Sequence, residues 1–144
     1  MSGNVIFRGP IEHQPRTINL PVAGAYLPGI IVTEDGTNLN MAVAADNDHE
    51  LFVLGNLDFK DQDITTAYTS GDTGVAFEMQ PGLIFQARLA AGTYAKGDAL
   101  STGANGRLEA ATAGEVVVAR FEGTPGAKSA GDLDDVKIAN SFKA

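Results

Sequence analysis

The 144-residue chain contains no cysteine. That excludes a disulfide framework, a thiolate nucleophile and a zinc–thiolate site, and it leaves the redox compartment unread. Tryptophan is absent as well, and there are only two histidines. Cations are scarce: 10 lysines and arginines stand against 18 acidic residues, for a net charge of −8. Such a balance argues against general nucleic-acid binding, while leaving room for a local basic patch that meets an acidic partner. No apolar run approaches the roughly 18 residues that span a bilayer, so no membrane partner is expected. Met1–Pro10 also lacks the basic start and apolar stretch of a secretory leader. What the chain does have is glycine and proline, 17 and 6 residues, a composition suited to a turn-dense, all-β domain. Its length fits one domain, enough to hide roughly two-thirds of the unfolded surface without staples.

The first 19 residues read differently from the rest. Arg8 and Arg16 stand there against Glu12 alone, whereas the remainder carries the acidic excess. Pro10 and Pro15 forbid a continuous helix and disfavour a central strand. Two readings fit: an extended N-terminal arm (1–19) that gains order by docking elsewhere, or an edge segment folded onto its own domain. From residue 20 to 144 the pattern is that of a single β domain. "GIIVT" (Gly29 to Thr33) runs from a Pro-Gly turn to Glu34-Asp35-Gly36. "LFVL" (Leu51 to Leu54) is a continuous apolar run, the mark of a strand buried on both faces. Val75, Phe77 and Met79 alternate with Ala76 and Glu78, and after Gln80-Pro81-Gly82 Leu83, Phe85, Ala87 and Leu89 alternate with Ile84, Gln86 and Arg88, which predicts a hairpin. Asn105-Gly106 predicts a tight type I′ turn. Only Leu39 to Ala45 has the look of a helical turn. Strands separated by turns every eight to twelve residues imply a small β-sandwich or β-barrel-like domain. A Gly-Asp pair recurs in "SGDTG", "KGDAL" and "AGDLD", read as one strand-entry turn used three times, since glycine permits positive φ and aspartate bonds nearby amides.

Candidates for chemistry are few. His49 is flanked by Asp46, Asp48 and Glu50, but Leu51 stands where an EF-hand loop needs its glycine. Asp58, Asp61 and Asp63 lie close in sequence, and nothing marks the buried setting that would shift a carboxylate pKa. There is no G-x-S-x-G, P-loop, dinucleotide fingerprint or H-E-x-x-H. Tyr26, Tyr68 and Tyr94 lie beside turns, read as half-buried phenols with wet hydroxyls. No catalytic residue, cofactor or metal ligand is therefore assigned. "AKGDAL" is similar to the glycine turn of biotinyl and lipoyl carrier domains, yet the following hairpin has no lysine at its tip, which argues against a carrier.

The order of elements from Ala67 to Gly123, with its Gly-Asp strand entry, Pro-Gly turn, K-G-D-x-L, N-G-x-L and Gly-containing valine strand, resembles the small head-decoration, or capsid cement, proteins of tailed bacteriophages. "LPVAGAYLPGIIVTEDG" (Leu20 to Gly36) is similar to their opening strands, and "DFKDQDIT" departs from any family pattern. The resemblance implies a non-enzymatic β module on the outer capsid surface of the virion, made in the host cytoplasm. Its partners would be the major capsid protein and further copies of itself, as a dimer or trimer, and its work would be to bridge capsid subunits and stabilise the shell. The composition shift of the first 19 residues names capsid-binding candidates: Arg8 and Arg16 for acidic capsid residues, Phe7, Ile11 and Ile18 as apolar anchors. A sugar- or receptor-binding β module on a virion or cell surface is the alternative, and a hydrolase built on Asp58 to Asp63 is a third.

Overall fold

A computed structural model of the chain describes residues 5–10, 12–46, 49–57 and 62–143. Among the described residues thirteen strands, all short except the eleven-residue β13, form two main antiparallel sheets and one small one. The larger sheet has the order β1 (Phe7–Gly9), β7 (Ile84–Arg88), β13 (Leu133–Lys143), β11 (Val116–Phe121), β9 (Ala99–Thr102), β10 (Leu108–Ala110). The five-stranded sheet runs β2 (Thr17–Pro21), β6 (Thr73–Glu78), β5 (Phe52–Leu54), β3 (Ile31–Glu34), β4 (Leu39–Met41). A two-stranded ribbon joins β8 (Gly92–Tyr94) to β12 (Gly126–Lys128). The arrangement is a sandwich and not a closed barrel.

Strand alternation explains the two cores. Phe85, Ala87, Leu100, Ala119, Phe121 and Val136 from the six-stranded sheet meet Ile31 and Val53 from the five-stranded one in the main core. Phe52, Leu54, Val32 and Ala76 point the other way, into a second cluster with Val22, Ile30, Leu57 and Tyr68. "LFVL" is thus buried on both faces, as its unbroken apolar run predicts. Tyr68 covers that second cluster and donates its hydroxyl to the Gly55 carbonyl. Burial pushes its pKa up to about 12. Tyr94 donates to the Ala90 carbonyl at 2.7 Å, and the Tyr26 hydroxyl accepts from the Met41 amide at 3.2 Å. These phenols are tied to backbone, where the sequence suggested wet hydroxyls.

The recurrent Gly-Asp turn is one structure repeated. In each copy the aspartate amide donates back to the carbonyl three residues earlier, and its carboxylate accepts that residue's amide. The pairs are Thr69/Asp72, Ala95/Asp98 and Ser129/Asp132, with amide-to-carboxylate distances of 3.1, 2.8 and 2.8 Å. The glycine between them has φ of +92°, +89° and +89°, the type II geometry that disfavours any residue with a Cβ. Thr112/Glu115 repeats the scheme with a longer acid, at 2.7 Å. Each copy opens directly onto a strand. Asn105 (φ 59°) and Gly106 (φ 68°) form the predicted positive-φ pair between β9 and β10. Ala104 and Asn105 are exposed, while Gly106 is buried and donates to the Ala42 carbonyl, next to β4, at 2.9 Å.

Two expectations are corrected. Gln80-Pro81-Gly82 does not close a hairpin, because β6 and β7 lie in different sheets. Only Gly82 of this turn has positive φ (+90°), and a type II turn splays its flanking strands where the primed types would pair them. Leu39–Ala45 is strand β4 followed by a single 3-10 turn at Ala44–Asp46, and its helical look covers only that end. As for the two readings of residues 1–19, the described part is extended and folded onto its own domain. β1 pairs with β7 and β2 with β6, so it supplies one edge strand to each sheet.

Arg88 closes the side of the sandwich. Its guanidinium donates to the carbonyls of Pro28 and Gly131, each at 2.8 Å, and of Ile64. Replacing Arg88 with Met is expected to cost about 3 kcal/mol in urea unfolding, because three charge-assisted bonds are lost together. Asp98→Ala, which frees only the Ala95 amide, is expected to cost about 1 kcal/mol by the same measurement.

Candidate functional site

Strand β1 lies against β7 in the register Phe7↔Phe85 and Gly9↔Ile84. Gln86 reinforces it from the neighbouring strand: its side-chain amide donates to the Val5 carbonyl at 2.6 Å, and its backbone amide to the Ile6 carbonyl at 2.7 Å. Ile6 is 1% exposed. Phe7 packs with Phe77 and Phe85 in a three-ring cluster, centroids 5.5 to 6.2 Å apart. Arg8 stands beside Asp135 of β13, Nε to Oδ1 at 3.5 Å. Arg16 donates to Glu78 through Nε and Nη2, at 2.9 and 2.6 Å, and reaches Glu50 at 3.4 Å. This carboxylate pairing raises its pKa, led by the Glu78 hydrogen bond. Ile18 packs against the second core cluster. Ile11 lies outside the described residues. The structure therefore gives Phe7 and Ile18 to the chain's own cores and engages Arg8 and Arg16 with its own carboxylates. What this segment leaves toward a partner is the outer edge of β1 and of β2, the terminal strands of their sheets.

The acidic candidates are accounted for by local turns where they are described. Asp63 accepts from the Thr65 amide and the Thr65 and Thr66 hydroxyls, which lowers its pKa. Asp35 is lowered in the same way by the Asn38 and Thr37 amides and the Asn40 side chain. His49 Nδ1 lies 3.6 Å from Asp46. Asp48, Asp58 and Asp61 fall outside the described residues. Among the described residues no three His, Asp or Glu side chains converge as a metal site would require.

A pair of grooves runs along the C-terminal part of β13. One, of about 440 Å³, is bordered by Glu50, Leu51, Glu78, Met79 and Pro81. The second, of about 560 Å³, opens on the outward sheet face beside Gly82, Arg120, Glu122 and Lys137. Sequence reasoning missed this surface. The alternation in "VVVARF" and "DDVKIAN" shows that Arg120 and Lys137 point outward, but only the β11–β13 register shows that they meet.

Asp135 is the one internal partner of the N-terminal segment whose charge is held at a cost. Burial raises its pKa and outweighs the opposing pull of Arg8. A carboxyl with a raised native pKa binds its proton more tightly folded than unfolded, so its contribution to stability grows as pH falls from neutrality toward the ordinary carboxylate range. Asp135→Asn is therefore expected to unfold at higher urea concentration than the parent chain at pH 7. That advantage should close as pH is lowered, and a difference independent of pH would refute the burial argument.

No protein-family model and no curated protein matches the sequence. Among solved structures, the head fiber gp8.5 N base in bacteriophage phi29 matches over 90% of this chain and 97% of its own, with a TM-score of 0.54 and 17% sequence identity. At that identity the likeness is one of fold, and it spans nearly the whole of both chains.

Proposed function

We propose that this chain is a structural protein of a bacteriophage virion, seated on the outer surface of the head, with no catalytic role. The observation that carries the reading is the correspondence, across nearly all of both molecules, with a base domain of a phage head fiber. The resemblance of residues 67–123 to capsid cement proteins agrees with it. In mechanism, each copy would bridge neighbouring major capsid subunits, and copies held as a dimer or trimer would combine modest contacts into firm retention. The N-terminal segment supports this through the free edges of β1 and β2, where a capsid strand can add by main-chain hydrogen bonds.

Bridging demands more than one subunit, which gives a discriminating test. The purified chain is expected to co-sediment with assembled heads of the phage that encodes it and to leave unassembled capsid subunits in the supernatant. Equal binding to both forms would remove the bridging role. Failure to bind heads, together with selective retention on a glycan array, would favour a receptor-binding module.

A further inference from the structure

Two cations face each other across neighbouring strands on the outward side of the six-stranded sheet. Arg120 of β11 is the register partner of Lys137 of β13, in a row continued by Ala99 on one side and Ile84 on the other. The residues adjoining them, Phe121 and Val136, are in the core, so Arg120 and Lys137 point to solvent, and both are exposed. Like charges directly opposite in an antiparallel pair weaken a sheet. Here the pairing occurs in a chain of net charge −8, where an acidic neighbour would be the easier choice. Arg120 Nη1 donates to the Gly97 carbonyl at 2.9 Å, which steers its head along the face. Lys137 has no ion-pair partner among the described residues. Glu122 is the anion sharing the groove, while Arg8 and Asp135 further along the sheet pair with one another.

The backbone beside these cations is open to pairing. β13 is matched to β7 from Leu133 to Lys137, and the last bond across is Gly82 N–H to the Ile138 carbonyl at 2.9 Å. The strand then runs on to Lys143, paired with β11 at Val116 and Val117. Among the described residues no strand lies on its other side there. That edge borders the 560 Å³ groove at Ala139 and Asn140.

We infer that this groove docks an extended acidic segment of a protein partner, whose main chain adds along β13 beyond the end of β7 and whose carboxylates lie over Arg120 and Lys137. Edge pairing supplies affinity and the cation pair supplies selectivity and orientation. Lys137, which has no ion-pair partner among the described residues, is the cation that an arriving carboxylate meets first. The inference rests on the virion reading for where the partner sits, and not for its chemistry.

The test uses a fluorescent hexaglutamate peptide, with hexaglutamine and an oligothymidine of equal length as comparisons, and reads anisotropy. The full chain should bind hexaglutamate, and binding should weaken as salt rises from about 50 to about 300 mM. Lys137→Glu should weaken it by at least about tenfold, and Lys137→Arg should retain it. Because Lys137 is exposed, Lys137→Glu should leave the melting temperature within about 4 °C of the parent chain, so lost binding cannot be blamed on unfolding. Hexaglutamate binding that is absent, or unchanged by Lys137→Glu, would overturn the inference. So would stronger binding of oligothymidine, which would mark a phosphate site, or loss of self-association alone, which would mark an interface between copies. Peptide binding without head binding would sink the virion reading and leave the groove standing. Head binding that survives Lys137→Glu after peptide binding is lost would detach the groove from the shell.

Discussion

The two sheets are held along one side by hydrogen bonds that run through Gly29 and Arg88. The Gly29 amide donates to the Leu54 carbonyl of the five-stranded sheet at 2.7 Å, and its carbonyl accepts from the Arg88 amide of the six-stranded sheet at 2.9 Å. A single residue, Gly29, thus spans the gap between the layers. Gly29 has φ of +93°, a left-handed conformation that disfavours any residue with a Cβ. The Arg88 side chain then donates to three carbonyls of the surrounding loops, those of Pro28, Gly131 and Ile64. Burial, and next the proximity of Arg107, lowers the pKa of this guanidinium. The residue is therefore a partly desolvated cation held by backbone dipoles, and the charge of Asp132 offsets only part of that lowering. Both cores, and the outward face that carries the second groove, take their relative placement from this seam.

The N-terminal segment follows from the same geometry. β7 and β6 each need an edge partner, and residues 7–9 and 17–21 provide it. Alternation sends Phe7 into the aromatic cluster and Arg8 toward Asp135. A segment that looks loose by composition becomes part of the domain because Ile6, Phe7 and Ile18 find places in the two existing cores. Among the described residues no strand pairs with the outer edges of β1 and β2, and such edges invite further strands unless they are covered.

The local turn chemistry was legible in the sequence with good resolution. The Gly-Asp recurrences and Asn105-Gly106 behave as their residue types require, because positive φ and Asx-type bonds depend on three or four neighbouring residues. Pro81-Gly82 shows the limit. The turn was read correctly as a turn, and the hairpin drawn from it was not, since two alternating strands around a turn carry no mark of which sheet each will join. The cation pair was hidden for a related reason: Arg120 and Lys137 lie 17 positions apart in the sequence, and only register across β11 and β13 brings them together.

Local sequence was enough for the all-β class, the double burial of β5 and the placement of most turns. Each depends on local dihedral preference, on side-chain alternation, or on which residue types are present. Only the tertiary structure decided the sheet to which β6 and β7 belong, the docking of residues 5–10 and 17–21, and the meeting of like charges beside an open strand edge. Those outcomes are contacts between distant segments, set by how two twisted sheets bury their apolar faces against each other, and no short stretch of chain contains that information.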